Sequence, residues 1–128
     1  MRRQGGQAAR GTIAGVAIDL HAVPFRPTRY RGVSIHFYYS DRERGHAAVM
    51  IRMEPGCSYP RHRHKGAEEL LILQGGYRDE TGEHRAGDFV RYEDGTSHHP
   101  VALDGEPCVF FAIAHEGIEL LASDLDQA

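Results

Sequence analysis

From residue 32 onward this chain is a succession of short β-branched and aromatic runs, each cut off by glycine or proline, and that rhythm leaves room for little except an all-β fold. Gly32-Val33-Ser34-Ile35-His36-Phe37-Tyr38-Tyr39 reads as one strand, residues 40–45 as a turn, and residues 47–53 as the partner strand. Glu54-Pro55-Gly56 closes that pair. A second set follows: 68–74 ended by Gly75-Gly76, Tyr77-Arg78-Asp79 leading into a turn at 80–83, 89–92 stopped at Glu93-Asp94-Gly95, and the apolar run 108–114. Pro24 and Pro27 break up an extended arm ahead of them. No amphipathic helix precedes the tail, where Ile118-Glu119-Leu120-Leu121 reads as a turn or a last strand. Many short strands with glycine and proline corners predict a sandwich, barrel or jelly roll.

The length, 128 residues, suits one domain, expected over residues 13–128 behind a Gly-, Gln-, Ala- and Arg-rich leader at 1–12 that reads as disordered. A formal net charge of -3 argues against nucleic acid or an anionic membrane as the main partner, since both reward a basic patch. No run approaches the roughly 18 apolar residues of a membrane helix. The basic start lacks a hydrophobic signal core, because residues 13–20 are too short and contain Asp19. With only Cys57 and Cys108, the chain reads as a cytoplasmic protein with two reduced thiols.

Nine histidines stand in the sequence, and their placement is more informative than their number. His62-Arg63-His64 precedes a strand; in extended chain both imidazoles project to one face and Arg63 to the other. Glu68 heads the apolar run Leu70-Leu71-Ile72-Leu73, where a bare carboxylate would be costly unless a cation or donor receives it. His98 follows the turn at Glu93-Asp94-Gly95.

These residues resemble the cupin family. Gly56, His62, His64, Glu68 and Gly75 match its first motif, G-x5-H-x-H-x3-E-x6-G, at every position. Gly87, Gly95 and His98 match the glycines and histidine of the second, G-x5-P-x-G-x2-H-x3-N, while Glu93 replaces the proline and Ala102 the asparagine. The stretch from Pro60 to Leu73 is most similar to ChrR-type cupin domains, found in anti-sigma factors and in stand-alone relatives. The resemblance implies a double-stranded β-helix, or jelly-roll barrel, holding one divalent metal through His62, His64, Glu68 and His98. Glu69 competes with Glu68 for the fourth position. The motif spacing favours Glu68, and a shift to Glu69 would reverse the inward face of the strand.

Sequence does not choose among Zn, Fe, Mn and Ni. Leu70 and Ile72 share the face of Glu68 and, with Phe110 and Arg52, are candidates for lining a ligand pocket. His21, His36, His46, His84, His99 and His115 are expected to be ordinary surface or core residues. Two functions fit such a centre: a small-molecule metalloenzyme of dioxygenase type, or a metal-dependent sensor or ligand-binding module without catalysis. In ChrR-type anti-sigma factors an N-terminal zinc-binding helical domain grips the sigma factor. These residues hold neither room for it nor its cysteine–histidine cluster, so anti-sigma activity alone is not expected. A small-molecule ligand is the expected partner, and the aromatic arm over residues 23–39 suggests a homodimer.

Overall fold

A computed structural model describes residues 12–13 and 16–121, with side chains from residue 18 onward. The leader expected at 1–12 lies outside the described residues except for Thr12. In chain order the strands are β1 (Thr12–Ile13), β2 (Val16–Ala17), β3 (Arg26–Pro27), β4 (Val33–Asp41), β5 (His46–Met53), β6 (His62–His64) and β7 (Glu68–Gln74). Then come β8 (Gly76–Asp79), β9 (Gly82–Arg85), β10 (Phe89–Tyr92), β11 (Ser97–His98), β12 (Val101–Ala102), β13 (Cys108–Ala114) and β14 (Ile118–Leu120). The only helical segment among the described residues is a 3₁₀ turn at Leu20–Ala22, capped by the Asp19 carboxylate.

A six-stranded antiparallel sheet in the order β10-β7-β13-β5-β4-β3 forms one wall. Two three-stranded sheets, β11-β6-β14 and β12-β8-β9, and the two-stranded pair β1-β2 make up the rest. Strand alternation divides the large sheet into two faces. Val33, Val49, Met53, Leu70, Ile72, Cys108, Phe110 and Ala112 point inward and pack with Tyr77, Tyr92 and Ala102. Each large apolar side chain buried there contributes roughly 1.5–3 kcal/mol. Met50, Leu73 and Val109 point the other way and are covered by Ile18, Leu20, Val23 and Phe25. The proline-broken arm therefore works as a lid on the outer face.

Arg52 belongs to that outer set. It lies across from Ser34 and Val109 and pairs with Glu54 at 2.8 Å. The expectation that it lines a pocket with Leu70, Ile72 and Phe110 is corrected on this point. Its neighbours Ile51 and Met53 take the inward positions, and a one-residue offset in a strand is a change of face.

The two departures from the second motif are absorbed locally. At Glu93 the corner is closed by Thr96, whose backbone N–H and hydroxyl both donate to the Glu93 carbonyl. Ala102 is buried, and its backbone exchanges hydrogen bonds with Cys57 and Gly56. Gly75 is required: at φ 66° a Cβ there would stand 2.6 Å from the Pro107 carbonyl oxygen.

Candidate metal centre

The small sheet brings the two histidine segments together. β6 is its middle strand, with His98 of β11 directly opposite His62 on one side and Leu120 on the other. The alternation expected for His62-Arg63-His64 is observed: both histidines are buried, while Arg63 is exposed and pairs with Glu119. The chain then turns at Gly66, whose φ of 73° and close approach to the Glu116 side chain favour glycine. Its N–H is held by Asp94 at 2.8 Å. That turn delivers Glu68 to the first position of β7, between Tyr92 and Ala114.

The result is a cluster in which one donor atom from each of His62, His64, Glu68 and His98 lies within 4.8 Å of all the others. His62 and His98 approach through their Nε2 atoms at 3.0 Å, and His64 Nε2 lies 2.8 Å from Glu68 Oε1. Glu69 faces the opposite way, toward Arg91 and His115. Between the two carboxylates, geometry places Glu68 in the cluster.

Proton positions decide what this cluster can do. His62 Nδ1 is 2.8 Å from the Pro60 carbonyl and His64 Nδ1 is 3.1 Å from the Thr96 carbonyl, so each must donate there. His98 Nδ1 donates to the Asp79 carboxylate at 2.8 Å. Burial pushes the His62 imidazole down to about 4, outweighing its bond to Pro60, and also lowers His98. With both neutral and their Nδ1 atoms protonated, His62 and His98 face each other through bare Nε2 lone pairs. His64 Nε2 likewise meets a carboxylate oxygen without a hydrogen-bond partner. Such a gathering of acceptors is repulsive on its own and becomes attractive around a cation. The residues fit a divalent ion.

Asp79 stands directly behind the cluster, and the motif spacing does not single it out. Its side chain is fully buried at the end of β8, and Oδ2 accepts from His98 Nδ1 and, at 2.6 Å, from the Tyr92 hydroxyl. Because the Tyr92 proton is committed there, the Tyr77 hydroxyl must donate to the Tyr92 oxygen. Oδ1 accepts from the Thr81 backbone N–H and hydroxyl, with His84 Nε2 at 3.2 Å. Burial alone would raise the Asp79 carboxyl; the bonds from Thr81, Tyr92 and His98 overcome it and hold the group well below the usual carboxylate range. Burial, with the Asp79 charge adding to it, raises the hydroxyls of Tyr77 and Tyr92, so both stay protonated. Tyr92 also stacks on His64 at 4.8 Å. The available sequence signal is parity: Tyr77 and Asp79 share a face of one short strand, and Tyr77 is core.

Leu70, Ile72 and Phe110 are buried on the Glu68 side of the large sheet, within the inner core. Of the cluster, Glu68 is the more open member, with 13% of its side chain exposed against none for His64. Tyr59 stands beside it, edge-on to His62 at 5.2 Å and to Tyr30 at 5.2 Å. A separate groove of about 800 Å³ lies between Pro24, Phe25, Ile35, His36 and Phe37 at the sheet edge, and none of the four cluster residues lines it.

A cupin jelly roll with an inward three-histidine, one-carboxylate cluster is the class that this fold and site define, and the comparisons narrow it further. Residues 14–116 match the ChrR Cupin-like domain, and the chain belongs to that family. It is 42% identical over 65 residues to the anti-sigma-E factor ChrR of Cereibacter sphaeroides, an alignment covering 51% of this chain and 30% of that protein. The crystal structure of Rhodobacter sphaeroides SigE in complex with the anti-sigma ChrR superposes with a TM-score of 0.66 at 33% identity, covering 76% of this chain and 51% of the other. The chain thus spans about half or less of these ChrR proteins. An RmlC-like cupin from Ralstonia eutropha (TM-score 0.68, 21% identity, 85% and 81% covered) shares the fold. So does an acetylacetone dioxygenase from Acinetobacter johnsonii (TM-score 0.61, 17% identity, 77% and 72% covered).

Proposed function

We propose that His62, His64, Glu68 and His98 bind one divalent metal ion, and that the centre acts on a small molecule in a reaction of dioxygenase type. The observation that carries this reading is the convergence of three buried imidazole Nε2 atoms and one carboxylate, with the Nδ1 of each imidazole tied to an acceptor outside the cluster. Bound there, the ion supplies a Lewis acid that polarises an oxygen ligand and, as iron, the electrons that O₂ chemistry needs. The chain supplies the rest. Its neutral imidazoles and Glu68 leave a divalent ion with one net positive charge in the immediate cluster, suited to an anionic oxygen ligand. The more exposed Glu68 side, beside Tyr59, is the direction of entry. The buried walls formed by Leu70, Ile72 and Phe110 exclude water from the interior. An acetylacetone dioxygenase with the same fold makes a β-diketone the first substrate to try.

The test is metal content measured on protein purified without added metal, followed by O₂ uptake of the Fe(II)-loaded protein with acetylacetone and related diketones. Stoichiometric metal with diketone-dependent O₂ consumption supports the enzyme; a centre that binds no divalent ion ends the reading. A second function, a metal-dependent sensor or ligand-binding module, is favoured by the ChrR relationship. Ligand-dependent binding of another protein, without O₂ uptake, selects it.

For assembly we propose a homodimer through β4. Past Ile35 this strand has no partner on its outer edge among the described residues, and Phe37, Tyr38 and Tyr39 are each about half exposed there. A monomer by light scattering would reject it. No helix among the described residues is long and apolar enough to cross a membrane, and both cysteines are free and buried. The cytoplasm is the compartment that this reading assigns.

A further inference from the structure

We infer that Asp79 is the positioning residue of the metal centre: its buried carboxylate fixes His98 as the Nδ1–H tautomer and so keeps the Nε2 lone pair aimed at the other ligands. The inference rests on reading the four-residue cluster as a metal site.

The argument is one of proton direction. Asp79 is the common acceptor of its neighbourhood, receiving the Thr81 backbone and hydroxyl protons on Oδ1 and the Tyr92 and His98 protons on Oδ2. His84 completes the arrangement from the outside. The Thr81 hydroxyl spends its one proton on Asp79, so His84 Nε2 donates to Thr81 Oγ1 at 2.8 Å. Tyr77 does the same through Tyr92. Every assigned proton in the group therefore points toward Asp79; a carboxylate can only accept, so His98 carries its proton on Nδ1, and the neutral ring leaves Nε2 bare. His62 and His64 are fixed by backbone carbonyls, which any sequence could supply. His64 Nδ1 also has the Thr96 hydroxyl at 3.1 Å, but His98 alone depends on a carboxylate, and that carboxylate comes from β8, outside both histidine segments. A carboxylate behind a ligating imidazole fixes ring orientation and raises ligand basicity. Here it also adds a second negative charge to that of Glu68, so a divalent ion would complete a buried site of no net charge.

The experiment is Asp79→Asn, which keeps shape while removing the charge and one acceptor. Two readings are needed. Long-range ¹H–¹⁵N spectra of the metal-free native protein should show His98 protonated at Nδ1, and the variant should lose that preference. Co(II) affinity of the folded variant, by competition titration, should fall about 10–100-fold. Thr81→Val, which removes an Asp79 donor without touching His98, should retain the native tautomer and cost less affinity. A native His98 protonated at Nε2 overturns the inference whatever becomes of the variants, including a variant that does not fold. So does an Asp79→Asn protein that keeps Co(II) affinity within twofold, or loses affinity while the tautomer stays native. Failure of the underlying metal reading looks different: the native protein then binds no Co(II) at all.

Discussion

Glu68 and Glu69 are adjacent, chemically identical and placed in opposite circumstances by the alternation of β7. On the outer face, Glu69 accepts from His115 Nε2 at 3.1 Å and from Arg91 at 2.7 Å, and Arg91 also reaches Glu93 at 3.0 Å. The His115 and Arg91 bonds hold the Glu69 carboxyl below its ordinary range. His46 packs edge-on to His115, and Tyr39 to His46. On the inner face, Glu68 meets His64 and the neighbouring His62 and His98, yet their Nδ1 protons are all directed away. The outer group has donors matched to acceptors and is complete. The inner group receives no proton from any Nδ1 atom, and His62 and His98 meet there Nε2 to Nε2. Residue type alone does not separate a salt-bridge cluster from a metal centre; what separates them is where each imidazole sends its other proton.

The widest gap between the two faces should appear on neutralising each carboxylate. Glu68→Gln removes the only anionic ligand and is expected to weaken Co(II) or Fe(II) binding on the order of 100-fold or more, beyond what loss of a group that merely supports a ligand would cost. Glu69→Gln should leave affinity within about twofold, by the same titration. Equal losses would dissolve the distinction.

Next in size is the effect of the ion on the fold. Metal at about 100 times its dissociation constant stabilises the native state by about 2.7 kcal/mol, which for a domain of this size raises Tm on the order of 10 °C. Chelation should return the native protein to the lower Tm by scanning calorimetry. The Glu69→Gln protein should show the same difference, and Glu68→Gln little of it.

The choice between these two carboxylates is legible through the motif spacing alone, because the run Leu70-Leu71-Ile72-Leu73 is apolar at both parities and does not say which face is inward. The strand corners are legible too, since Gly66 and Gly75 occupy backbone conformations that L side chains resist. What escapes is local and lateral. In the sequence Arg52 looks like an intruder in an apolar strand. Its outward position is decided by Met53 and Ile51 pairing inward with β4 and β13, a register that sequence does not print. Asp79 looks like turn punctuation ahead of Glu80. Its role comes from β8 running beside the histidine sheet, so that a residue 19 positions from His98 sits behind it. Ligands of a centre share a motif spacing; the groups that hold them need only proximity.

Acid should act on the inner face of the metal-free protein. The folded-state His62 value, about 4, lies below that of an unfolded histidine, near 6.5. Between those values the unfolded chain binds more protons, so the native state is destabilised as pH falls through the window, by about 3 kcal/mol at the lower end for His62 alone. His98 is shifted in the same direction and adds to it. Urea midpoints from pH 7 to 4 should therefore decline for the metal-free protein, and replacing His62 by Gln should flatten that decline. A midpoint that rises as pH falls would mean that the imidazoles are charged in the native state, and the bare lone pairs would not exist.

The smallest effect sharpens the comparison most, because β10 touches both faces. Arg91 binds Glu69 and Glu93 outside, while the next residue, Tyr92, stacks on His64 and donates to Asp79 inside. If the faces are independent, Arg91→Ala removes only exposed ion pairs, which contribute little to stability. Tm should move by less than about 3 °C, and Co(II) affinity should stay within about twofold. The same variant offers a way for the comparison to fail. A clear loss of affinity at unchanged Tm would mean that the outer ion pairs hold β10 in the register that presents Tyr92 to the site. The outer network would then be part of the metal centre rather than its contrast, and Tyr92→Phe should reproduce the loss without disturbing any outer contact.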